Sequence, residues 1–139
     1  MKPSLIDTDI LSYFMKDMEP VVSRFQAYLE KMGKINLSIV TYYEIISGLK
    51  HKRSWKKLGF FQGFVEENRV LPLTPSSVGI SSDVYANLRH QGCPIDNMDL
   101  LIAGVAISNG LVLVTHNKRH FGRIDGLELA DWSVPLFGV

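Results

Sequence analysis

Apolar residues in this chain recur at alternating periods, and the alternation predicts strands and helices in turn. Pro3 to Ile6 is short and mostly apolar, and Asp7-Thr8 then opens the run Ile10-Leu11-Tyr13-Phe14, spaced as the buried face of a helix. A second helix is expected from Pro20 to Lys31, with proline in its first turn, Val21, Phe25, Tyr28 and Leu29 on one face, and Gly33 as the stop. Lys34 to Ser38 reads as a strand, Thr41 to Lys50 as a helix carrying Tyr42, Ile45, Ile46 and Leu49, and Ser54 to Glu67 as another helix. Arg69 to Leu73 is expected at a sheet edge, because Pro72 has no amide to give to a ladder. A long helix follows from Ser76 to Gln91, broken by Gly92-Cys93-Pro94. The next begins at Asp96 and ends at Asn109-Gly110. Leu111 to Val114 is apolar without alternation, the pattern of a parallel strand covered on both faces, and is assigned to the sheet centre.

Strands alternating with helices predict an α/β fold, a three-layer α/β/α sandwich around a mostly parallel twisted sheet. In that architecture ligands sit beyond the carboxyl ends of the strands. Three acids fall at that edge: Asp7 after the first strand, Glu44 early in the helix after the second, and Asp99 in the first turn of the helix before the fourth. Thr115-His116-Asn117 leaves the same edge after Val114. Carboxylates held close together repel, so a hard divalent cation, Mg²⁺ or Mn²⁺, is their natural partner. Such a centre can ionise water and clamp phosphate oxygens, which points to phosphodiester hydrolysis.

Each acid also has a structural use. Asp7 stands where it would cap the first helix, Thr41-Tyr42-Tyr43-Glu44 matches a capping box, and Asp96 and Asp99 sit where acids favourably meet a helix N-terminus. Independent caps need not share one sheet edge, and that common placement favours a site.

Composition narrows the alternatives. The 139 residues suit one domain spanning the whole chain, with 46% hydrophobic and 21% charged residues and no repeats. No apolar run approaches the ~20 residues of a membrane span, and the N-terminal segment is too short for a signal peptide, so a cytoplasmic protein is expected. A lone Cys93 has no disulfide partner and no zinc-site neighbours. His116 and His120, four apart, lack the acid or further histidine of a zinc site. The net charge of +1 hides two basic stretches. Lys50, His51, Lys52, Arg53, Lys56 and Lys57 read as a solvated helix end, a helix length from Glu44; Lys118, Arg119, His120 and Arg123 lie beside the pocket and suit substrate phosphates. Tyr42, Tyr43, Phe60, Phe61 and Phe64 are assigned to core or dimer contacts, and Trp132 to the core.

The stretches Leu5-Ile6-Asp7-Thr8-Asp9-Ile10-Leu11, Leu37 to Leu49 around Thr41-Tyr42-Tyr43-Glu44, and Pro94 to Ala103 around Asp96-Asn97-Met98-Asp99 resemble those of PIN-domain nucleases. Asn109 to Phe121, with Val114-Thr115-His116-Asn117, is similar to the closing motif of VapC-like toxins, and Leu127 to Trp132 to their last strand. The resemblance implies a Mg²⁺- or Mn²⁺-dependent ribonuclease that cleaves RNA by in-line attack of an activated water. It also implies a homodimer, inhibited by a cognate antitoxin. By position it makes Asp7, Glu44 and Asp99 the metal-binding acids, with Thr115 and Asn117 completing the pocket. Asn117 stands where many PIN domains carry a fourth acid, which implies a weaker hold on a second ion and a partial substitute in Asp96.

Other readings fit less well. Asp7-Thr8-Asp9 copies the paired aspartates of a haloacid-dehalogenase-type phosphatase, but Val114-Thr115 comes after Asp99 rather than before it. A phosphoacceptor receiver domain needs an acid after its third strand, where Leu71-Pro72-Leu73-Thr74-Pro75 has none. A PIN-like scaffold without catalysis is disfavoured by the intact Asp7, Glu44 and Asp99. Neither a Gly-Lys-Ser/Thr loop nor a Gly-x-Gly-x-x-Gly turn supports a nucleotide cofactor.

Overall fold

The three inner strands of the sheet are buried along their whole length, and the two outer ones are partly open to water. The computed structural model describes residues 1–135. In chain order it contains β1 (Ser4–Ile6), α1 (Thr8–Met15), α2 (Val21–Met32), β2 (Asn36–Ser38), α3 (Ile39–His51) and α4 (Trp55–Glu66). These are followed by β3 (Arg69–Leu71), α5 (Pro75–His90), α6 (Asn97–Ser108), β4 (Val112–Val114), α7 (Lys118–Phe121) and β5 (Leu129–Ala130). The strands form one sheet in the order β3-β2-β1-β4-β5, every pairing parallel.

Successive residues of a strand face opposite sides of the sheet, which divides the core in two. Ile6 and Val114 pack with Phe25, Tyr28 and Phe61 under α1, α2 and α4, whereas Leu5 and Leu113 pack with Leu88, Ile102 and Phe121 under α5, α6 and α7. Helix α3 serves both, through Ile45 on the first side and Val40 on the second. The expected three-layer sandwich is therefore present. Trp132 belongs to the first core, with its ring 5.8 Å from that of Phe25 and 5.4 Å from that of Tyr28.

Two expectations need correction. The strand after Gly110 is interior, but the middle strand is β1, with β4 beside it and β5 outside. Helix α3 starts at Ile39 rather than Thr41, because Ser38 caps it and its side chain accepts from the Thr41 amide at 3.0 Å. Thr41 is thus inside the first turn and the Thr41–Glu44 capping box does not form. Strand β3 lies at the edge as expected, and Pro72 falls just past its end.

Helices α5 and α6 approach closely at Gly104. A Cβ there would lie 2.0 Å from Ser81 Oγ and 2.4 Å from the Ser77 carbonyl oxygen, so no larger residue fits without backbone movement. Ser81 Oγ lies 2.7 Å from the Leu100 carbonyl oxygen, tying α5 to the turn of α6 that carries Asp99.

Chain direction across the sheet reverses between β1 and β4, since β2 and β3 lie to one side and β4 and β5 to the other. Doubly wound sheets open a crevice at such a point, beyond the carboxyl ends of the two strands. Ile6 and Val114, the last residues of β1 and β4, are paired there.

Candidate functional site

Asp7 follows β1 directly and is 5% exposed. Its amide donates to the Val114 carbonyl, its Oδ1 accepts from the Thr8 amide at 2.8 Å, and its Oδ2 accepts from Thr115 Oγ1 at 2.8 Å. Asp7 therefore caps α1, as its structural use required, while its second oxygen reaches across the crevice to the end of β4. The same side chain does both.

Asp9 has a larger part than the sequence revealed. Its Oδ1 accepts from the Ile10 amide at 2.7 Å and its Oδ2 from the His116 amide at 3.0 Å, with Thr115 Oγ1 at 3.5 Å. It ties the first turn of α1 to the segment after β4. The available signal was the repeated acid in Asp7-Thr8-Asp9 at a strand end. Asp131 was also missed: the His116 Nδ1 lies 2.9 Å from both Asp131 Oδ2 and Ser133 Oγ. A nucleophilic serine relay needs its partners on opposite ring nitrogens, so this group clasps the segment after β5 to that after β4.

Glu44 projects from the second turn of α3 to the same edge, where Thr8 Oγ1 donates to its Oε1 at 2.6 Å. Thr8 Oγ1 also lies 3.0 Å from Thr41 Oγ1, so Thr41 supports the site rather than capping a helix. Asp99 stands in the first turn of α6, 3.6 Å from His120 Nδ1 through its Oδ2. Asp96 is the N-cap of α6, its Oδ2 accepting from the Met98 amide at 3.0 Å, which leaves Oδ1 open among the described residues. Asn117 donates its amide to Thr115 Oγ1 at 3.0 Å, and its Nδ2 lies 3.2 Å from His120 Nδ1.

The electrostatics show how these acids meet. Burial above all, then the charge of Asp9, pushes the Asp7 carboxyl up to about 7; the charge of Asp99 adds to this, and the Thr115 and Thr8 hydrogen bonds oppose it. Asp9 is also raised, mainly by burial, against the pull of the His116 and Ile10 amides. Asp99 is raised by burial and by the charges of Asp96 and Glu44, with His120 opposing. Asp131 goes the other way: burial would raise it, but hydrogen bonds from Ser133 and His116 outweigh that. Among the described residues no lysine or arginine pairs with Asp7, Asp9, Glu44 or Asp99. Nor do three acid, imidazole or thiol groups close into a complete metal-ligand set among the described residues. A magnesium site does not need one, because the ion keeps several waters and takes only one or two carboxylates.

Basic residues border the acids on two sides. Lys118 and Arg119 are exposed on α7, and the guanidinium of exposed Arg123 lies 3.5 Å from the Pro94 carbonyl oxygen. On the other side, Lys52 and Lys57 are exposed as a solvated helix end should be, yet they line one cleft with Thr8 and Glu44. The helix length separating Lys52 from Glu44 does not remove it from the site, since Glu44, Gly48 and Lys52 repeat every fourth residue on one face.

Comparisons with known proteins identify the family. The PIN domain family model matches residues 4–127. The tRNA(fMet)-specific endonuclease VapC of Shigella flexneri is 35% identical over 130 residues, covering 93% of this chain and 97% of that protein. Ribonuclease VapC1 of Haemophilus influenzae is 33% identical over 131 residues, covering 93% and 97%. Among solved structures, the DNA-bound VapBC of Salmonella typhimurium superposes with a TM-score of 0.84 at 30% identity, covering 95% of this chain and 99% of that one. The VapBC2 complex of Rickettsia felis bound to a promoter DNA fragment also gives 0.84, at 25% identity, over 93% and 98%. With the family model matching most of its length and VapC relatives matching nearly all of it, this chain belongs to the PIN-domain family, among its VapC-type members.

Proposed function

We propose that the chain is a divalent-metal-dependent endoribonuclease and the toxin of a toxin-antitoxin pair. The observation that supports it best is the gathering of Asp7, Glu44 and Asp99, from three distant segments, around the crevice between β1 and β4. The donor set fits the ion: all three offer hard carboxylate oxygens, Asp7 and Asp99 are raised in pKa by burial and by neighbouring acids, and no lysine or arginine pairs with any of the three among the described residues. Asp7, Glu44 and Asp99 would hold Mg²⁺ or Mn²⁺, one or two of them directly and the rest through its waters, with Asp96 Oδ1 and the Asn117 side chain at the margin. Bound there, the ion supplies Lewis acidity towards a water and the phosphate oxygens.

The chain's own residues prepare that chemistry. Thr115 fixes the carboxylate plane of Asp7, Thr8 aims Glu44, and Asp9 holds the Thr115-His116 backbone in place. Such positioning groups act by holding reactants in a reactive geometry. Lys118, Arg119 and Arg123 meet the phosphates next to the scissile one. The names of the curated relatives support RNA as substrate, and the tRNA named for the Shigella protein is the first to try. The VapBC complexes among the solved neighbours support an antitoxin that binds this chain. Val78 and Tyr85, exposed on α5, line a mostly apolar hollow with Leu100 and Leu101 of α6, a surface suited to a homodimer. No helix among the described residues is long and apolar enough to cross a membrane, and we assign the protein to the cytoplasm.

The test is a substrate comparison. Purified chain is incubated with tRNA and, separately, with p-nitrophenyl phosphate, in Mg²⁺ or in excess chelator. The proposal expects RNA fragments in Mg²⁺ alone and no phenol release. Phenol release without RNA cleavage would favour the phosphatase, and inertness towards both would favour a non-catalytic scaffold.

A further inference from the structure

A cleft of about 170 Å³ opens beside Glu44, between α1 and α3. Thr8, Ser12 and Lys16 line one wall, Glu44, Gly48 and Lys52 the other, and Lys57 of α4 closes the far end. Gly48 has no side chain to fill it, and a Cβ built there meets nothing within 4 Å. Lys16, Lys52 and Lys57 make no ion pair among the described residues. Lys57 also lines a neighbouring hollow with Arg53, Lys56 and Trp55, whose indole is 60% exposed.

We propose that this cleft is a second RNA subsite, in which Lys16, Lys52 and Lys57 hold backbone phosphates beyond the scissile one and Trp55 receives an unpaired base. The inference rests on the ribonuclease reading and extends it. Glu44 and Lys52, the C-cap of α3, are eight residues apart on one helical face, so about 12 Å of track separates Glu44 from Lys52. A strand whose phosphate sits on the acids and which continues along the cleft therefore meets acid first, then cations, then an aromatic face. Cations along a groove beside an exposed aromatic form the usual platform for single-stranded nucleic acid, where sugar-phosphate and base are met separately. An acidic peptide would use the lysines equally well, but it carries no base to lay on the exposed Trp55 indole at the end of the track.

The experiment uses the full chain and two readouts. Binding of a fluorescein-labelled 12-nucleotide oligouridylate is followed by anisotropy in chelator, and cleavage of tRNA is followed in Mg²⁺. Lys52→Ala/Lys57→Ala is expected to weaken oligouridylate binding by about tenfold or more at low salt and to reduce the slope of log affinity against log salt by about 1.4, roughly 0.7 for each phosphate no longer neutralised. KM for tRNA should rise with kcat within about twofold. Gly48→Leu, which fills the cleft without removing charge, should weaken binding as well, and Lys31→Ala/Lys34→Ala, away from the cleft, should not. Equal losses from both lysine pairs, or unchanged binding in the cleft variants, would overturn the subsite while wild-type cleavage keeps the ribonuclease reading. A fluorescein-labelled hexaglutamate that binds the wild type as tightly as the oligouridylate in the same anisotropy assay, and is weakened as much by Lys52→Ala/Lys57→Ala, would overturn it in favour of a peptide groove. If the wild type cleaves no RNA, the ribonuclease reading fails by itself, and the anisotropy still decides whether the cleft binds RNA.

Discussion

At the residue scale, Asp7 shows how one carboxylate serves fold and chemistry together. It caps α1 with Oδ1 and faces the crevice with Oδ2, and its buried position pushes its carboxyl up to about 7 from the ordinary 3.8. Between those values the folded protein keeps a proton that the unfolded chain has released, so without a divalent cation this group's contribution to stability falls as pH rises from about 4 to about 7. A cation favours the ionised form and reverses that loss. Thermal melting should therefore show a larger Mg²⁺-induced rise in Tm at about pH 8 than at about pH 5, with the difference reduced in Asp7→Asn. An equal rise at both pH values would contradict the ligand role of Asp7. Thr115 is the neutral partner in this arrangement. Thr115→Val removes the donor to Asp7 and the acceptor for the Asn117 amide, and should cost about 1 to 3 kcal/mol in denaturant unfolding, because a buried group is left unsatisfied.

The candidate acids Asp7, Glu44 and Asp99 were legible because each follows or precedes a strand that the hydrophobic pattern made visible. Asp9 and Thr8 were not, since their parts depend on how α1 rolls against α3 and the end of β4, which no local spacing encodes. The Thr41–Glu44 capping box failed for a related reason. Ser38 lies at the junction of strand and helix and captures the Thr41 amide first, which frees Glu44 for Thr8.

At the element scale, the placement of Asp99 depends on the close packing of α5 and α6. Gly104 and the Ser81 hydroxyl let these helices touch, and α6 presents Asp99 from its first turn to the crevice. Gly104→Ala would drive a methyl against the Ser77 carbonyl, a backbone atom that cannot swing away. The expected cost is about 1 to 3 kcal/mol in chemical denaturation despite the gain in helix propensity. A neutral or stabilising effect would mean that α5 and α6 sit farther apart. Ser38→Ala, in contrast, removes only a cap and should cost about 1 kcal/mol. The types of the longer elements were readable from the sequence, whereas the four-residue α7 was not, and neither was the role of Gly104, because a glycine inside a helical pattern announces no neighbour.

On the scale of the whole molecule, strand order decides where chemistry occurs. The sequence implies a parallel sheet but not which strands adjoin, and the strand after Gly110 reads as central although β1 occupies that place. The pairing of β1 with β4 appears only in the structure, and it brings Asp7 next to Thr115 and within the field of Asp99. The short β5 and the Asp131–His116 clasp then fix the segment after β4 from outside the crevice.

The most direct test of that convergence is single-turnover cleavage of tRNA in Mg²⁺ by the wild type, Asp7→Asn and Asp99→Asn, each checked for folding by circular dichroism. These substitutions preserve shape while removing the charge and one accepting oxygen, and each is expected to slow cleavage by at least about 100-fold, beyond what loss of an outer-shell partner produces. Cleavage by either folded variant at the wild-type rate would contradict an acid-bound cation at the β1–β4 crevice.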